Sequence, residues 1–128
     1  MTKVIDAIKE TIAAQRTFFA LEYFVPLTNA GTENLYAIME RMCNCGPLFC
    51  GITWGDRGST ADSSISIAGT GQTFLSLNMQ VNITGYTSTP EEIRSWLSEL
   101  KNRSGVRNLC VLRGNATGTA KDGLVHFP

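Results

Sequence analysis

The sequence holds a single histidine, His126, almost at its end, and no C-x-x-C pair. Zinc sites are built largely from His and Cys at such knuckle spacings. No metal site is therefore expected, although Cys43, Cys45 and Cys50 stand close together. Charge is sparse, at 17% of 128 residues, and 11 basic residues cancel 11 acidic ones. No basic stripe offers itself to nucleic acid, and there is no acidic tail. No apolar run approaches the roughly 20 residues that a membrane-spanning helix needs. The first residues lack an apolar signal core, and Lys3, Lys9 and Arg16 alternate with Asp6 and Glu10, which suits a transit peptide poorly. No repeat is visible beyond the rhythm of the elements themselves. Cys50 and Cys110 lie in apolar strand patterns and read as small core residues. Cysteines without a pairing pattern, in a chain without a signal, point to a reducing compartment, either the cytoplasm or an organelle matrix such as that of the mitochondrion.

What is present is a globular composition, 43% hydrophobic, with room for one domain and its core. The most distinctive stretch is Thr17-Phe18-Phe19-Ala20-Leu21-Glu22-Tyr23-Phe24-Val25-Pro26. A short aromatic run closed by proline reads as a buried strand. Glu22 is its anomaly, since an ionised carboxylate is costly to remove from water. Burial would raise its pKa and fit it to donate a proton near neutral pH. Alternatively, it reaches solvent at the strand end or pairs with an arginine.

The remaining elements follow from pattern. Val4, Ile5, Ile8 and Ile12 are spaced for a helix over residues 3–14. A second helix is expected from Thr32 as N-cap, with Leu35, Ile38, Met39 and Met42 as its stripe and Gly46-Pro47 as its stop. Residues 48–54 read as a strand. Ser59-Thr60-Ala61-Asp62 has the form of a capping box, but the glycine- and serine-rich run after it predicts only a short, frayed helix. Residues 75–84 alternate as a half-buried strand, with Leu75, Leu77, Met79, Val81 and Ile83 on one face and Ser76, Asn78, Gln80, Asn82 and Thr84 on the other. Thr89-Pro90-Glu91-Glu92 starts another helix, with Ile93, Trp96, Leu97 and Leu100 as its stripe. Residues 106–112 form the last strand. Strands alternating with helices imply an α/β fold with a parallel sheet. Trp54 and Trp96 read first as packing residues, and Gly55 and Gly58 as turn glycines.

Several of these runs, in order, resemble the methylenetetrahydrofolate reductase family. Glu22-Tyr23-Phe24-Val25-Pro26 is similar to that family's first strand. Glu33-Asn34-Leu35, Gly46-Pro47-Leu48-Phe49-Cys50, Ile52-Thr53-Trp54-Gly55, Gly58-Ser59-Thr60-Ala61-Asp62 and Leu112-Arg113-Gly114 follow, and Val4-Ile5-Asp6-Ala7-Ile8 resembles the family's first helix. The resemblance implies a TIM-barrel flavoenzyme that binds FAD and uses NADH or NADPH to reduce methylenetetrahydrofolate. It implies that Glu22 stands at the family's proton donor, and that Thr53, Asn82, Arg113, Gly114 and Asn115 stand at its flavin positions.

The sequence departs from the family at several of these places. Asn82 replaces a family histidine, and Asn115 replaces an aspartate beside the flavin whose charge tunes that ring. Gly51 stands for an acidic residue, Val25-Pro26-Leu27 for Pro-Pro-Lys, and Ala116-Thr117 for Pro-Pro. A closed (β/α)8 barrel takes roughly 250 residues. The expectation is therefore half of a TIM barrel over residues 1–118, about four parallel strands with flanking helices and open edges, followed by an irregular tail over 119–128. Function is read as that of a catalytically degenerate relative acting as a structural or interaction subunit, with other protein chains covering its edges and no cofactor. The alternative is an active FAD-dependent reductase that completes its barrel through oligomerisation or a partner chain. A small folate- or nucleotide-binding module, or a piece of a longer product, are further readings.

Overall fold

Capping chemistry and apolar periodicity produce most of the elements seen in the computed structural model, which describes residues 2–55, 58–85 and 88–114. The order is α1 (Val4–Ala13), β1 (Ala20–Tyr23), α2 (Asn29–Cys43), β2 (Phe49–Ile52), α3 (Ala61–Thr73), β3 (Met79–Thr84), α4 (Pro90–Glu99) and β4 (Asn108–Leu112). A π-helical turn, Leu100–Ser104, extends α4. The four strands form one sheet in the order β1-β2-β3-β4, and every neighbouring pair is parallel. This is a partial α/β barrel of sequential strand–helix units. Residues 115–128, and with them the expected tail, Asn115 and His126, lie outside the described residues, as do residues 56–57 and 86–87.

The side chains that alternate outward along the sheet meet the helices. Tyr23, Cys50, Ile52, Met79, Val81 and Ile83 are all buried, packed with Leu35 and Met39 of α2 and Ile65, Ile67 and Ala68 of α3. The other face of the strands carries Glu22, Gln80, Asn82 and Thr84. The expected alternation of β3 is therefore observed, although its ladder starts only at Met79.

Three helices differ from the sequence expectation. In α2 the first turn begins at Asn29, because the Thr28 hydroxyl, four residues before the expected cap, accepts from the Gly31 N–H at 3.1 Å. The Asn29-Ala30-Gly31 run is thus helical. In α3 thirteen residues form a full helix where a frayed one was expected. Its small residues are an asset in packing. Ala61, Ser64, Ile65, Ile67, Ala68 and Gly71 are all buried, and tertiary burial outweighs their poor propensity. A Cβ on Gly71 would lie 2.8 Å from Met39 Cε and 2.9 Å from Met79 Sδ, so the missing side chain lets α3 seat against the sheet. In α1 the buried residues are Val4 and Thr11, whereas Ile5 and Ile12 of the expected stripe are exposed. The first residue of the helix is tied down, its N–H donating to Asn108 Oδ1 at 2.9 Å, whereas Ile5 and Ile12 of the stripe have no cover among the described residues.

The strands are shorter than their apolar runs. β1 spans four residues, and Phe18, Phe19 and Phe24 around it are exposed rather than buried. α4 is as expected, with Thr89 and Glu92 forming a reciprocal capping box and Pro90 at its start. Trp54 and Trp96 pack on each other, edge to face, with ring centroids 5.1 Å apart.

Burial of the Tyr23 phenol, with the Cys50 thiol beside it, pushes its pKa from 10.0 up to about 12. Its folded pKa is raised, so the stability it contributes is fully present below pH 10.0 and is lost as pH climbs towards about 12. Urea midpoints measured across that window are expected to fall more steeply for the natural chain than for Tyr23→Phe.

Candidate functional site

The carboxyl ends of parallel strands are where α/β folds place their chemistry, because the strand-to-helix loops converge there. Five sequence-predicted site residues lie at or beyond these ends. Glu22 is on β1, Thr53 follows β2, Asn82 is on β3, and Arg113 with Gly114 follows β4.

Glu22 and Asn82 are joined directly. Asn82 Nδ2 donates to Glu22 Oε1 at 2.5 Å, reaching across the intervening strand. Gly51 makes this reach feasible. It is the register partner of Glu22 on β2, and a Cβ placed there would lie 3.8 Å from both Asn82 Nδ2 and Glu22 Cγ. An alanine would just touch both groups, and any longer side chain would occupy the space between them. On the far side, Gln80 Nε2 donates to Asn82 Oδ1 at 3.2 Å. The result is a chain of side chains, Gln80 to Asn82 on β3 and on to Glu22 on β1, passing over Gly51 of β2. Sequence reasoning did not count Gln80 or Gly51 among the site residues. The i, i+2 spacing of Gln80 and Asn82 on a strand was the available signal for the first.

Glu22 is exposed, and its partner is an amide rather than an arginine. Thr53 is set by its backbone. Its N–H donates to Tyr23 O at 3.0 Å, and its carbonyl accepts from the buried Ser64 hydroxyl at 2.8 Å. That clamp fixes the loop leaving β2 against both β1 and α3. Gly55 N–H donates to Thr60 Oγ1 at 2.8 Å, so the Thr60 hydroxyl closes this loop instead of capping α3. Arg113 is exposed, and Gly114 adopts φ of 88°.

The described residues do not by themselves make a flavin cradle. Asn82 has its amide oxygen engaged by Gln80 and its nitrogen by Glu22. Arg113 and Gly114 follow β4, the last strand of the sheet. Among the described residues no group of three or more His, Cys, Asp or Glu side chains is arranged to hold a metal ion. No helix of the described residues is long and apolar enough to cross a membrane.

Comparison with known proteins gives one consistent result. The family model described as methylenetetrahydrofolate reductase matches residues 7–124. A probable methylenetetrahydrofolate reductase (NADH) of Oryza sativa subsp. japonica is 41% identical over 113 residues, which is 88% of this chain and 19% of the relative. Methylenetetrahydrofolate reductase (NADH) 1 of Zea mays gives the same identity and coverage. Methylenetetrahydrofolate reductase 2 of Schizosaccharomyces pombe is 35% identical over 114 residues, 88% of this chain and 18% of the relative. The chain thus spans about a fifth of the length of the curated relatives it matches.

Proposed function

Because the chain belongs to the methylenetetrahydrofolate reductase family, we propose that it is a catalytically degenerate member. It works as a structural or interaction subunit of a larger assembly, with other protein chains covering its open half barrel. One observation carries this reading. Tyr23, Ile52 and Ile83 on the outer face of β1, β2 and β3 are 9%, 0% and 4% exposed, whereas Val111 of β4, on the same face and in register with Ile83, is 76% exposed. The apolar row is covered on three strands and, on β4, at Leu109, but it is bare at Val111, which leaves a place for a further element to cover. Two substitutions support the loss of catalysis. On the family resemblance, Asn82 and Asn115 take the places of a histidine and an aspartate, and Asn82 spends its amide on Glu22 and Gln80.

The retained Glu22, with Thr53 and Arg113 at the same strand ends, favours a second reading. In it the chain is part of an NAD(P)H-dependent flavin reductase whose barrel is completed by a second copy or another chain.

Glu22→Gln separates the two. Glutamine keeps an oxygen to accept from Asn82, so the stability change is expected to stay within about 0.5 kcal/mol. Under the structural reading, the native complex carrying this variant keeps its composition and any reductase turnover unchanged. A loss of methylenetetrahydrofolate reduction specific to this variant would establish the second reading instead.

A further inference from the structure

A pocket of about 340 Å³ lies at the opposite end of the sheet, where β3 and β4 begin, and no carboxylate lines it. Its wall includes Lys3, Gln72, Asn78, Arg107 and Asn108. The three amide side chains have their oxygens occupied. Asn108 Oδ1 accepts from Val4 N–H at 2.9 Å, Asn78 Oδ1 accepts from Asn108 Nδ2 at 3.1 Å, and Gln72 Oε1 accepts from Met79 N–H at 3.0 Å. Asn108 Nδ2 also donates to Met79 O at 3.1 Å, which pins the floor of the pocket to the β3 backbone. With these oxygens used internally, the pocket offers an anion the Asn78 amide nitrogen and the positive charges of Lys3 and Arg107. The Asn78 amide nitrogen has no partner among the described residues. Lys3 and Arg107 form no ion pair there either, since the pairs found are Arg94 with Glu91 and Arg103 with Glu99. Val4 N–H is already bonded, so the binding groups are side chains and not the helix terminus.

We propose that this pocket binds a phosphate group. The Arg107 guanidinium and Lys3 ammonium supply charge-assisted hydrogen bonds, and the Asn78 amide supplies a neutral one. Two cations in a pocket that no carboxylate lines suit an anion that is largely divalent at neutral pH, and guanidinium matches phosphate oxygens in a two-pronged fashion. The volume exceeds that of the ion alone, so a phosphate monoester fits as well as free phosphate.

The test is a titration of the full chain, labelled with ¹⁵N, with inorganic phosphate and separately with glycerol 3-phosphate. Saturable shifts of the Asn78 side-chain amide and the Arg107 side-chain N–H are expected. Arg107→Ala and Lys3→Ala should each weaken binding about tenfold or more, the size of a lost charged hydrogen bond. Arg94→Ala, which removes an equal charge on α4, should not. Tighter binding of the monoester would identify an organic phosphate as the ligand, and equal binding would identify free phosphate. Absence of saturable shifts with both probes, or binding unchanged in both Lys3→Ala and Arg107→Ala, would overturn the proposal. Both residues are exposed, so the variants are expected to fold. The pocket is remote from Glu22, and its failure would leave the structural-subunit reading untouched.

Discussion

Gly55→Ala is expected to destabilise the chain by about 1–3 kcal/mol, and Gly55→Val by more. A Cβ at this position would lie 2.5 Å from Ser59 Oγ, 2.6 Å from Thr60 Oγ1 and 2.8 Å from Thr60 N. The two hydroxyls can rotate away, but the Thr60 amide belongs to the backbone leading into α3 and cannot. Rotation of Thr60 would also break its bond to Gly55 N–H and disturb Ser64, whose hydroxyl lies 3.3 Å from it. Ser64 is fully buried and ties α3 to Thr53. The clash is therefore felt along the whole loop that leaves β2. Urea unfolding measures it. A midpoint unchanged in Gly55→Ala would mean that the loop is not held as described.

The second large effect is on assembly. Val111→Lys is expected to leave the isolated chain within about 0.5 kcal/mol of its natural stability, because the side chain is exposed. In the assembled state the same lysine would have to be buried among apolar groups without a partner. That costs several kcal/mol and should remove the chain from its complex. Beside β4, Leu97, Leu100, Val106 and Leu109 line a groove together with Lys101 and Arg107. Co-purification of tagged natural and variant chains reads this out directly. Retention of Val111→Lys in the complex would place the covering element elsewhere.

The sequence made local features legible and left long-range ones obscure. The start of α4 was readable because Thr89, Pro90 and Glu92 act within a single turn. The alternation of β3 was readable because one face of the strand meets helices. α3 was misjudged because its stability comes from contacts with distant residues, such as Gly71 against Met39 and Met79. The α2 boundary was missed because both Thr28 and Thr32 are cap-type residues; Thr28 takes the Gly31 N–H, and Thr32 lies inside the helix with its hydroxyl donating to Thr28 O at 3.2 Å. At the candidate site, the family resemblance located Glu22 and Asn82 separately. Their bond spans 60 positions and depends on the empty place at Gly51, which no local pattern encodes. The solvent exposure of Glu22 matches the alternative that it reaches solvent at the strand end.

The central claim is that this chain acts by being covered by other proteins and not by turning over a substrate. Its most direct test is the native size of the chain in a gentle extract, with mass spectrometry of the proteins that migrate with it. Migration in one large particle with several unrelated proteins, without flavin absorbance attributable to this chain, is the predicted result. Migration as a small, yellow homodimer or with a single reductase-like partner, with methylenetetrahydrofolate reduction that depends on Glu22, would contradict it.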